Sequence, residues 1–249
     1  MSKVVAFANH KGGVAKTTST ASIGGCLARD GYRVLMVDLD GQANLTLMYL
    51  DDDDDRATIY DAMIDGKPLP VFNVRENLDI VPSGIEMASA EIALVNKLER
   101  ERVLSRVLAP VKDKYDFVLI DCPPALNNVT TNAFLAADYI LVPMTAELLP
   151  LKGMRMLDAY INQLKQVKPS LGITGVFLTR YKSRHNLAKA VEEAVGEVYG
   201  DVLLKTKIRD NTSMAEAAGS GSDIYDYADR SAAAEDYKDL TKEVLEKLR

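Results

Sequence analysis

The sequence predicts an α/β protein with a single doubly wound, mostly parallel sheet flanked by helices. Short, continuously apolar runs, typical of strands covered on both faces, alternate with stretches of helical periodicity. Three of these runs end in a carboxylate or a glycine-containing loop, which is where open α/β sheets hold ligands. The chain has 249 residues, 47% hydrophobic and 27% charged, and no linker-like segment divides it. We therefore expect one domain over residues 1–249, large enough to bury a sizeable core.

The first strand and the loop after it predict a phosphate site. The apolar run Val4 to Ala8 leads into the loop His10 to Thr18, which opens a helix-compatible stretch. A strand, a glycine-containing loop and a helix N-terminus leave backbone N–H groups unpaired at one spot, where the helix dipole is also positive. Lys16 adds a full charge there, and the Thr17 hydroxyl can bind a Mg²⁺ that bridges two phosphates.

The second strand ends in two closely spaced acids. A helix at Thr17 to Arg29, ended near Gly31, leads to the strand Arg33 to Asp38 and then to Asp40. Carboxylates at i and i+2 at the carboxyl end of a strand point the same way, towards the crevice where such sheets hold ligands. The alternative interpretation is a strand cap followed by a solvated turn.

The middle of the chain predicts secondary structure, but it contains no motif to which we can assign a chemical function. Asp51 to Asp55 are five acids in a row, and such a block repels itself into an exposed loop. We expect a short helix at Thr58 to Ile64, a strand at Leu78 to Pro82 and a helical stretch, which can contain a break, from Ile85 to Leu108.

A third apolar run delivers a single acid. The strand Tyr115 to Ile120 is followed by Asp121, and Pro123 and Pro124 then prevent a helix from starting at once. A carboxylate at this place can hold Mg²⁺, directly or through water, and orient Thr17. A strand that ends in Asp is common by itself, so its meaning comes from the phosphate loop that precedes it.

The second half of the chain continues the alternation. Buried strands are expected at Tyr139 to Pro143 and Ile173 to Leu178, with a helix at Leu151 to Gln166 between them. The last helix, Ser231 to Lys247, is expected to pack as an ordinary surface helix. Its apolar face comprises Ala233, Tyr237, Leu240, Val244 and Leu248.

The phosphate loop resembles the deviant Walker A loop of the ParA/MinD ATPases, a branch of the P-loop NTPases. It runs Lys11-Gly12-Gly13-Val14-Ala15-Lys16-Thr17-Thr18, and the extra early lysine of that family corresponds to Lys11. His10 and Ala15 stand at the two glycine positions of the ordinary P-loop, and the family more often has glycine at the position of Ala15.

The resemblance implies ATP and Mg²⁺ as cofactors, with all residues from Lys11 to Thr18 contacting the nucleotide. Lys11 would reach across to the phosphates of a partner subunit, and Lys16 would bind the phosphates of its own. The segment that begins at Asp38 is similar to the Asp-x-Asp-x-Gln motif of the family. That similarity implies Asp38 near the Mg²⁺ shell and Asp40 positioning the attacking water.

Further roles come from the same resemblance. Asp121 resembles a Walker B carboxylate, so Thr17, Asp38 and Asp121 form the implied metal set. Pro123-Pro124 resembles the segment called switch II. In the family, the loop after a late strand borders the adenine, which implies that Arg209 and Asn211 line the base pocket.

Two basic clusters are the candidates for DNA contacts. They lie at Thr179 to His185 and at Lys205 to Arg209, in a chain whose net charge is −6. Because the whole protein is acidic, any nucleic-acid contact must come from a local patch. We predict contacts from Lys182, Arg184 and Arg209, with Lys205 and Lys207 as weaker candidates. The alternative is that these side chains only solvate the surface.

Composition argues against several classes of protein. The two cysteines, Cys26 and Cys122, have no metal-ligand spacing, so we expect reduced, buried thiols and no disulfide or zinc site. No apolar run approaches the roughly 18 residues that span a bilayer, and no basic-then-apolar signal opens the chain. The last helix lacks the cationic face of a membrane-binding helix, so we expect no membrane partner.

The motifs, with the resemblance to the ParA/MinD ATPases, imply a slow MgATP-dependent ATPase that dimerises face to face across its nucleotides. It would bind DNA without sequence preference on the nucleoid, in the cytoplasm, and move a plasmid, a chromosome or another cargo. A ParB-like adaptor would stimulate hydrolysis. The chain begins at its first strand, so a helix-turn-helix extension and operator binding are not expected. The alternatives are a MinD-like, membrane-associated regulator of septum placement and a nucleotide-gated interaction protein that barely turns over.

Overall fold

The computed structural model describes residues 2–147 and 150–248. Within these ranges seven strands form one sheet in the order β3-β4-β2-β5-β1-β6-β7. All neighbouring strands are parallel except β3 and β4, which are antiparallel. The strands are β1 (Lys3–Phe7), β2 (Val34–Asp38), β3 (Phe72–Arg75), β4 (Leu78–Val81), β5 (Phe117–Asp121), β6 (Tyr139–Thr145) and β7 (Ile173–Thr179).

Helices cover both faces of the sheet, as the sequence predicts. One face packs mainly against α3 to α7, and the other packs against α1, α9 and α10. Their bounds are α1 (Lys16–Arg29), α2 (Asn44–Leu47), α3 (Ala90–Val95), α4 (Val103–Leu108), α5 (Asn128–Ala136), α6 (Pro150–Leu164), α7 (Asn186–Tyr199), α8 (Thr212–Gly219), α9 (Ile224–Ala228) and α10 (Ala232–Lys247). Single turns of tighter or wider helix lie at Asp61–Asp65, Ile85–Ser89, Arg100–Arg102 and Lys112–Lys114.

The central strands bring the predicted site residues to one edge. Strands β2 and β5 are buried along their whole length, and β1 from its second residue, because helices cover both of their faces. Phe7 and Asp38 both stand opposite Asp121 in the register. The loops after β1, β2 and β5 therefore leave the sheet at the same level and face one crevice.

Several segments differ from the sequence prediction, among them an edge strand and a divided helix. Strand β3 was not predicted, because its four residues, Phe-Asn-Val-Arg, are too few and too polar to give a buried-strand signal. It forms an antiparallel edge hairpin with β4, in which Asn77 adopts φ 60°. The helical stretch expected from Ile85 to Leu108 is divided into short pieces, and Glu99 at φ 48° interrupts it because a right-handed helix cannot pass through that conformation.

The last helix, α10, makes more contacts with the rest of the protein than the sequence predicts for an ordinary surface helix. All five residues of its predicted apolar face are buried, and the helix packs on α1. The Tyr237 hydroxyl shares a 2.9 Å hydrogen bond with Ser19 of α1. Glu243 accepts hydrogen bonds from the backbone N–H groups of Lys205 and Thr206. The helix therefore holds the strand-like segment before α8 in place.

The prediction that Cys26 and Cys122 are buried is confirmed. No helix in the described ranges is long and apolar enough to cross a bilayer.

Candidate functional site

The loop after β1 is held by its neighbours on two sides. Asn9, at the end of the strand, donates from Nδ2 to the carbonyl of Pro143 at 2.8 Å. Its Oδ1 accepts from the backbone N–H of Lys11 at 3.0 Å. His10 Nδ1 lies 3.1 Å from the carbonyl of Pro124, in the loop after β5. These contacts fix the path of the loop before any ligand binds.

Two positions of the loop have left-handed backbone. Gly13 has φ 70°, and Ala15 has φ 70° and ψ 32°. Alanine at this conformation costs on the order of 1 kcal/mol relative to glycine, which explains why glycine suits the position of Ala15. No side chain caps α1 at Ala15, so the first backbone N–H groups of the helix stay available to an anion.

Lys16 is buried at the bottom of the loop. The residue is 7% exposed, and its Nζ donates to the carbonyl of Lys11 at 3.2 Å. Burial lowers the pKa of its ammonium, while the nearby Asp121 and, more weakly, Cys122 and Asp40 act in the opposite direction. A buried cation with one carbonyl partner is suited to bind an anion in a partly dry site.

Asp38 is fully buried and fully hydrogen-bonded. Its Oδ1 accepts from the backbone of Asp40 at 3.0 Å, and its Oδ2 accepts from the backbone and the hydroxyl of Thr46 at 2.9 Å and 2.8 Å. Burial raises its pKa to about 6, against these hydrogen bonds, which lower it. The geometry gives Asp38 a role in holding the loop after β2, and its place near the Mg²⁺ shell stays a prediction.

Asp121 is equally buried but has no partner. It is 1% exposed, and within the described residues neither carboxylate oxygen accepts a hydrogen bond of good geometry. Burial and the charge of Asp38 raise its pKa well above the ordinary range, while the nearby Thr17 side chain and Lys16 lower it. An unpaired buried carboxylate is costly, so its retention beside a buried lysine points to a cation that is bound there in the working state.

The oxygen donors at this site suit a Mg²⁺ ion that is bound partly by the protein and partly by the phosphates of a substrate and by water. No group of three or more His, Cys, Asp or Glu residues in the described part of the chain could hold a metal ion. Mg²⁺ usually keeps several waters and binds through one or two carboxylates plus the phosphates of a substrate. Asp121 and the Thr17 hydroxyl would supply the protein side of such a shell.

Asp40 and Lys11 lie at the rim of the crevice. The Oδ1 of Asp40 accepts from the backbone N–H of Gln42 at 3.0 Å, which shapes the turn before α2. Lys11 forms an exposed 2.7 Å ion pair with Glu147, just after β6, and this pair lowers the pKa of Glu147. The ammonium of Lys11 is thus paired at the rim with Glu147, whereas the ammonium of Lys16 is buried and, within the described residues, contacts only the backbone carbonyl of Lys11.

A continuous cleft passes over the loop. One half, a cavity of about 490 Å³, is lined by Gly12, Gly13, Lys16, Thr17, Asp40 and other residues. Its more apolar half, about 310 Å³, is lined by Ile208, Arg209, Asn211, Met214, Tyr237 and others. Gly13, Ala15, Thr18 and Ala218 line both halves. The cleft therefore offers one half that exposes the phosphate loop and a more apolar half of the kind that a base requires.

Several of these residues were not predicted. Thr179 donates to the carbonyl of Val14 at 3.1 Å and joins the loop to β7, while Met214 and Tyr237 line the apolar half of the cleft. Thr46, which holds Asp38, was also missed. A threonine or methionine has no motif of its own, so only the folded chain shows these contacts.

The basic residues predicted to contact DNA differ in whether an acidic side chain already pairs with them. The guanidinium of Arg209 is only slightly buried. Its Nε and Nη2 donate to the Asp236 carboxylate over distances of 2.7 to 3.0 Å. Lys182 forms a 3.1 Å ion pair with Asp210, and Lys207 pairs with Glu192. Arg184 is exposed in the loop after β7, and within the described residues it makes no ion pair.

Comparisons with known proteins agree with this geometry. A family model described as an AAA domain (AAA_31) matches residues 2–173. The sporulation initiation inhibitor protein Soj of Bacillus subtilis is 40% identical over 249 residues, which cover 98% of each chain. The chromosome-partitioning ATPase Soj of Treponema pallidum is 36% identical over 251 residues, again 98% of each chain.

A solved structure extends the comparison. Cobyrinic acid a,c-diamide synthase from Mycobacterium smegmatis, with a bound ATP analogue and magnesium, superposes with a TM-score of 0.85 at 31% identity. The match covers 98% of this chain and 95% of that chain. The whole architecture, and not only the phosphate loop, is thus similar to a nucleotide-binding protein.

Proposed function

Because the chain belongs to the ParA-type partition ATPases, we propose that it binds ATP with Mg²⁺, dimerises and hydrolyses the nucleotide slowly to reset the dimer. The observation that carries this proposal is the unpartnered, buried carboxylate of Asp121 beside Lys16 and Thr17. That arrangement has a use only when a cation and an anion are bound together in the crevice.

The residues at the phosphate end of the cleft support a separate role for each functional side chain. Lys16 and the free N–H groups at the start of α1 would bind the β- and γ-phosphates. Mg²⁺, held by Thr17 and Asp121, would neutralise the charge that develops on the phosphates. Asp40 would hold the attacking water, because it lines the same cavity and its backbone is fixed by Asp38.

The apolar end of the cleft supports a purine base. Ile208 and Met214 offer apolar surface to a flat ring. Asn211 uses its Oδ1 to cap α8 by accepting from Ser213, so its amide nitrogen is the atom that would face the base. Arg209 lies in the same wall, held by Asp236.

The test of nucleotide binding is a pair of variants with opposite outcomes. Lys16→Ala should abolish MgATP binding, because no other buried charge in the loop compensates the phosphates. Asp40→Ala should bind MgATP normally but lose turnover, since a water-positioning group acts on the transition state. Calorimetry and phosphate release measure the two steps. Lys112→Ala, an exposed lysine at the opposite edge of the sheet, is the matched control.

Wild-type affinity in Lys16→Ala would contradict the assignment of the phosphate loop. Loss of ATP binding in Asp40→Ala would instead give Asp40 a structural or metal role.

A dimer and a DNA surface complete the proposal. With net charge −6 a single copy is repelled by DNA at long range, so small basic clusters succeed only when two copies align on one face. Arg184 is the strongest candidate, because Asp210 already pairs with Lys182 and Asp236 already holds the guanidinium of Arg209. Each phosphate contact should lower log affinity by roughly 0.9 per tenfold rise in salt.

A gel shift on random duplex DNA tests this surface. Arg184→Glu should lose the ATP-dependent shift, whereas Lys112→Glu, with the same change of charge, should keep it. Arg209→Glu is less informative alone, because it would place a carboxylate against Asp236. A normal shift with Arg184→Glu would move the patch elsewhere. No shift by the wild type at low salt would remove the nucleoid role and favour the MinD-like alternative.

The last helix argues against that alternative. A membrane-binding helix must present its apolar face to lipid. In α10 that face, which includes Tyr237 and Leu240, is buried against the core. Liposome co-sedimentation with ATP should therefore leave the protein in the supernatant. We further propose that an adaptor protein, ParB-like in role, stimulates hydrolysis.

A further inference from the structure

The chain that follows Asp121 loses its backbone contact with β1 almost at once. The N–H of Cys122 donates to the carbonyl of Phe7 at 3.2 Å, which continues the parallel ladder between β1 and β5 by one step. Every second residue donates in such a ladder, so the next donor would be the nitrogen of Pro124, which carries no hydrogen. We call residues 122–127 the β5 loop.

A side chain makes contact where this ladder stops. The Nδ1 atom of His10 lies 3.1 Å from the carbonyl oxygen of Pro124. Because a carbonyl oxygen can only accept, Nδ1 must carry the hydrogen, and the contact fixes the tautomer of the neutral ring. The ordinary P-loop has glycine at the position of His10, and glycine has no side chain that could make this bond.

The other side-chain donors to the β5 loop come from helices. The hydroxyl of Thr130, in α5, donates to the carbonyl of Ala125. The hydroxyl of Tyr160, in α6, donates to the carbonyl of Asn127 at 2.9 Å. Among the hydrogen bonds of the described residues, that of His10 is therefore the one that joins the β5 loop to the phosphate loop.

The position of the Asp121 carboxylate depends on the backbone around it. Within the described part of the chain, neither carboxylate oxygen accepts a hydrogen bond of good geometry that would orient it. The backbone carbonyl of Asp121 accepts from the N–H of Leu39 at 3.0 Å, and the next residue is held by Phe7. His10 then holds the chain at Pro124, before it turns away into α5.

We propose that His10 is a positioning residue, which holds the β5 loop against the phosphate loop and so keeps Asp121 in place for the Mg²⁺ of the nucleotide. His10 does not line the nucleotide cleft, whereas Pro124 does, so the effect of the ring reaches the ligand through the β5 loop. The role toward Mg²⁺ rests on the proposed ATPase function, whereas the contact itself does not. The contact is therefore tested first, without nucleotide.

The first test reads the tautomer of His10 in the wild type. Long-range ¹H–¹⁵N correlation spectra distinguish a ring with hydrogen on Nδ1 from one with hydrogen on Nε2, and the chain has only two histidines. His185 is exposed and serves as the internal reference. At roughly pH 9, where an ordinary imidazole is neutral, His10 should carry its hydrogen on Nδ1. Hydrogen on Nε2 of His10 would overturn the proposal.

The second test measures amide hydrogen exchange in the β5 loop, again without nucleotide. His10→Leu removes the donor, so exchange from Ala125 to Asn127 should become about five- to tenfold faster. His10→Asn keeps an N–H donor near the place of Nδ1 and should restore the wild-type rate. Unchanged exchange in His10→Leu would overturn the proposal. Exchange in His10→Asn as fast as in His10→Leu would also overturn it, because only the packing of the ring would then matter.

The third test asks whether the contact serves Mg²⁺ binding. Titration calorimetry gives the affinity for ATP in Mg²⁺ and in EDTA, and the ratio of the two affinities measures the contribution of the metal. His10→Leu should lower this ratio about tenfold, since residues that orient a metal ligand typically contribute that much to metal affinity. The affinity in EDTA should stay at the wild-type value, and His10→Asn should keep the wild-type ratio.

An unchanged ratio in His10→Leu would overturn the role of His10 toward Mg²⁺. An equal loss of affinity in Mg²⁺ and in EDTA would overturn it as well, because the whole phosphate loop would then be affected. A wild type that binds no MgATP would remove this role together with the proposed function, while the tautomer and the exchange rates would still decide the contact. If His10→Leu does not fold, the tautomer of the wild type and the ratio measured for His10→Asn decide.

Discussion

The carboxyl ends of β2 and β5 lie side by side, and each closes an apolar run with a buried aspartate. Asp38 and Asp121 stand opposite each other in the register, and burial raises the pKa of both. Asp38 nevertheless accepts three hydrogen bonds, whereas no group in the described part of the chain gives Asp121 one of good geometry. The same local pattern thus produces one carboxylate that holds the loop after its strand and one that is left without a hydrogen bond of good geometry within the described residues.

The difference comes from the segment after each strand. After Asp38 the chain turns back through α2. The backbone N–H and the hydroxyl of Thr46 therefore both donate to the Asp38 carboxylate. After Asp121 the N–H of Cys122 is used by the carbonyl of Phe7, at 3.2 Å. The next residues are Pro123 and Pro124, which have no N–H to donate. The prolines therefore help to keep the second carboxylate unpaired.

The largest expected effect is on stability at the first strand of this pair, β2. Asp38→Ala leaves the N–H of Asp40 and both donors of Thr46 without a partner in a buried place. The free energy of unfolding should fall by about 3 kcal/mol, measured by urea denaturation at neutral pH. Asp116→Ala, which removes an exposed carboxylate paired with Arg33, is the control and should cost less than about 1 kcal/mol. Equal losses of unfolding free energy in the two variants would contradict a special structural role of Asp38.

The second strand of the pair, β5, should show the opposite pattern. Asp121→Asn replaces an unpaired buried carboxylate by a neutral group, so without metal and nucleotide the free energy of unfolding should stay the same or rise. ATP affinity in Mg²⁺ should drop by about 10- to 100-fold, while affinity in EDTA should hardly change. Titration calorimetry with and without Mg²⁺ measures both values. A destabilised variant with normal Mg²⁺ dependence would make Asp121 another structural carboxylate.

A smaller effect is expected from pH. Burial raises the pKa of Asp38 to about 6, above its ordinary value of 3.8. A carboxyl that holds its proton more tightly when folded stabilises the protein below the unfolded pKa, and this contribution disappears as pH rises through the folded pKa. Relative to Asp38→Asn, the wild type should lose about 1 to 2 kcal/mol of unfolding free energy between roughly pH 4 and pH 6. Urea denaturation at several pH values measures this, and a relative gain would contradict it.

The smallest effect concerns the exposed ion pair of Lys11 and Glu147 after β6. Glu147→Gln releases Lys11, and an exposed pair contributes less than about 1 kcal/mol, so dimerisation with a non-hydrolysable ATP analogue should strengthen about two- to threefold. Lys11→Ala should bind nucleotide but stay monomeric. Analytical ultracentrifugation distinguishes the two. An ATP-dependent dimer of Lys11→Ala would exclude a contact of Lys11 across the interface.

Patterns that depend on one segment were predicted well. The strands from β1 to β7, apart from β3, fall within one or two residues of the apolar runs, because a strand buried on both faces must be apolar throughout. The loop between β1 and α1 was equally clear, since its glycines, lysine and threonine are contiguous, while its binding of phosphate stays a prediction. Strand β3 failed because an edge strand needs no apolar run, and Asn77 alone signals its turn weakly.

The sequence by itself determined the doubly wound sheet, the loop from Lys11 to Thr18 and the acids at the ends of two strands, because each depends on consecutive residues. Only the tertiary structure decided which acid is satisfied, since the partners of Asp38 come from Thr46 and the neighbours of Asp121 come from other strands. It also decided that Arg209 is held by Asp236, a residue far along the chain. Hydrogen bonds and burial depend on which segments meet, and no single segment encodes that.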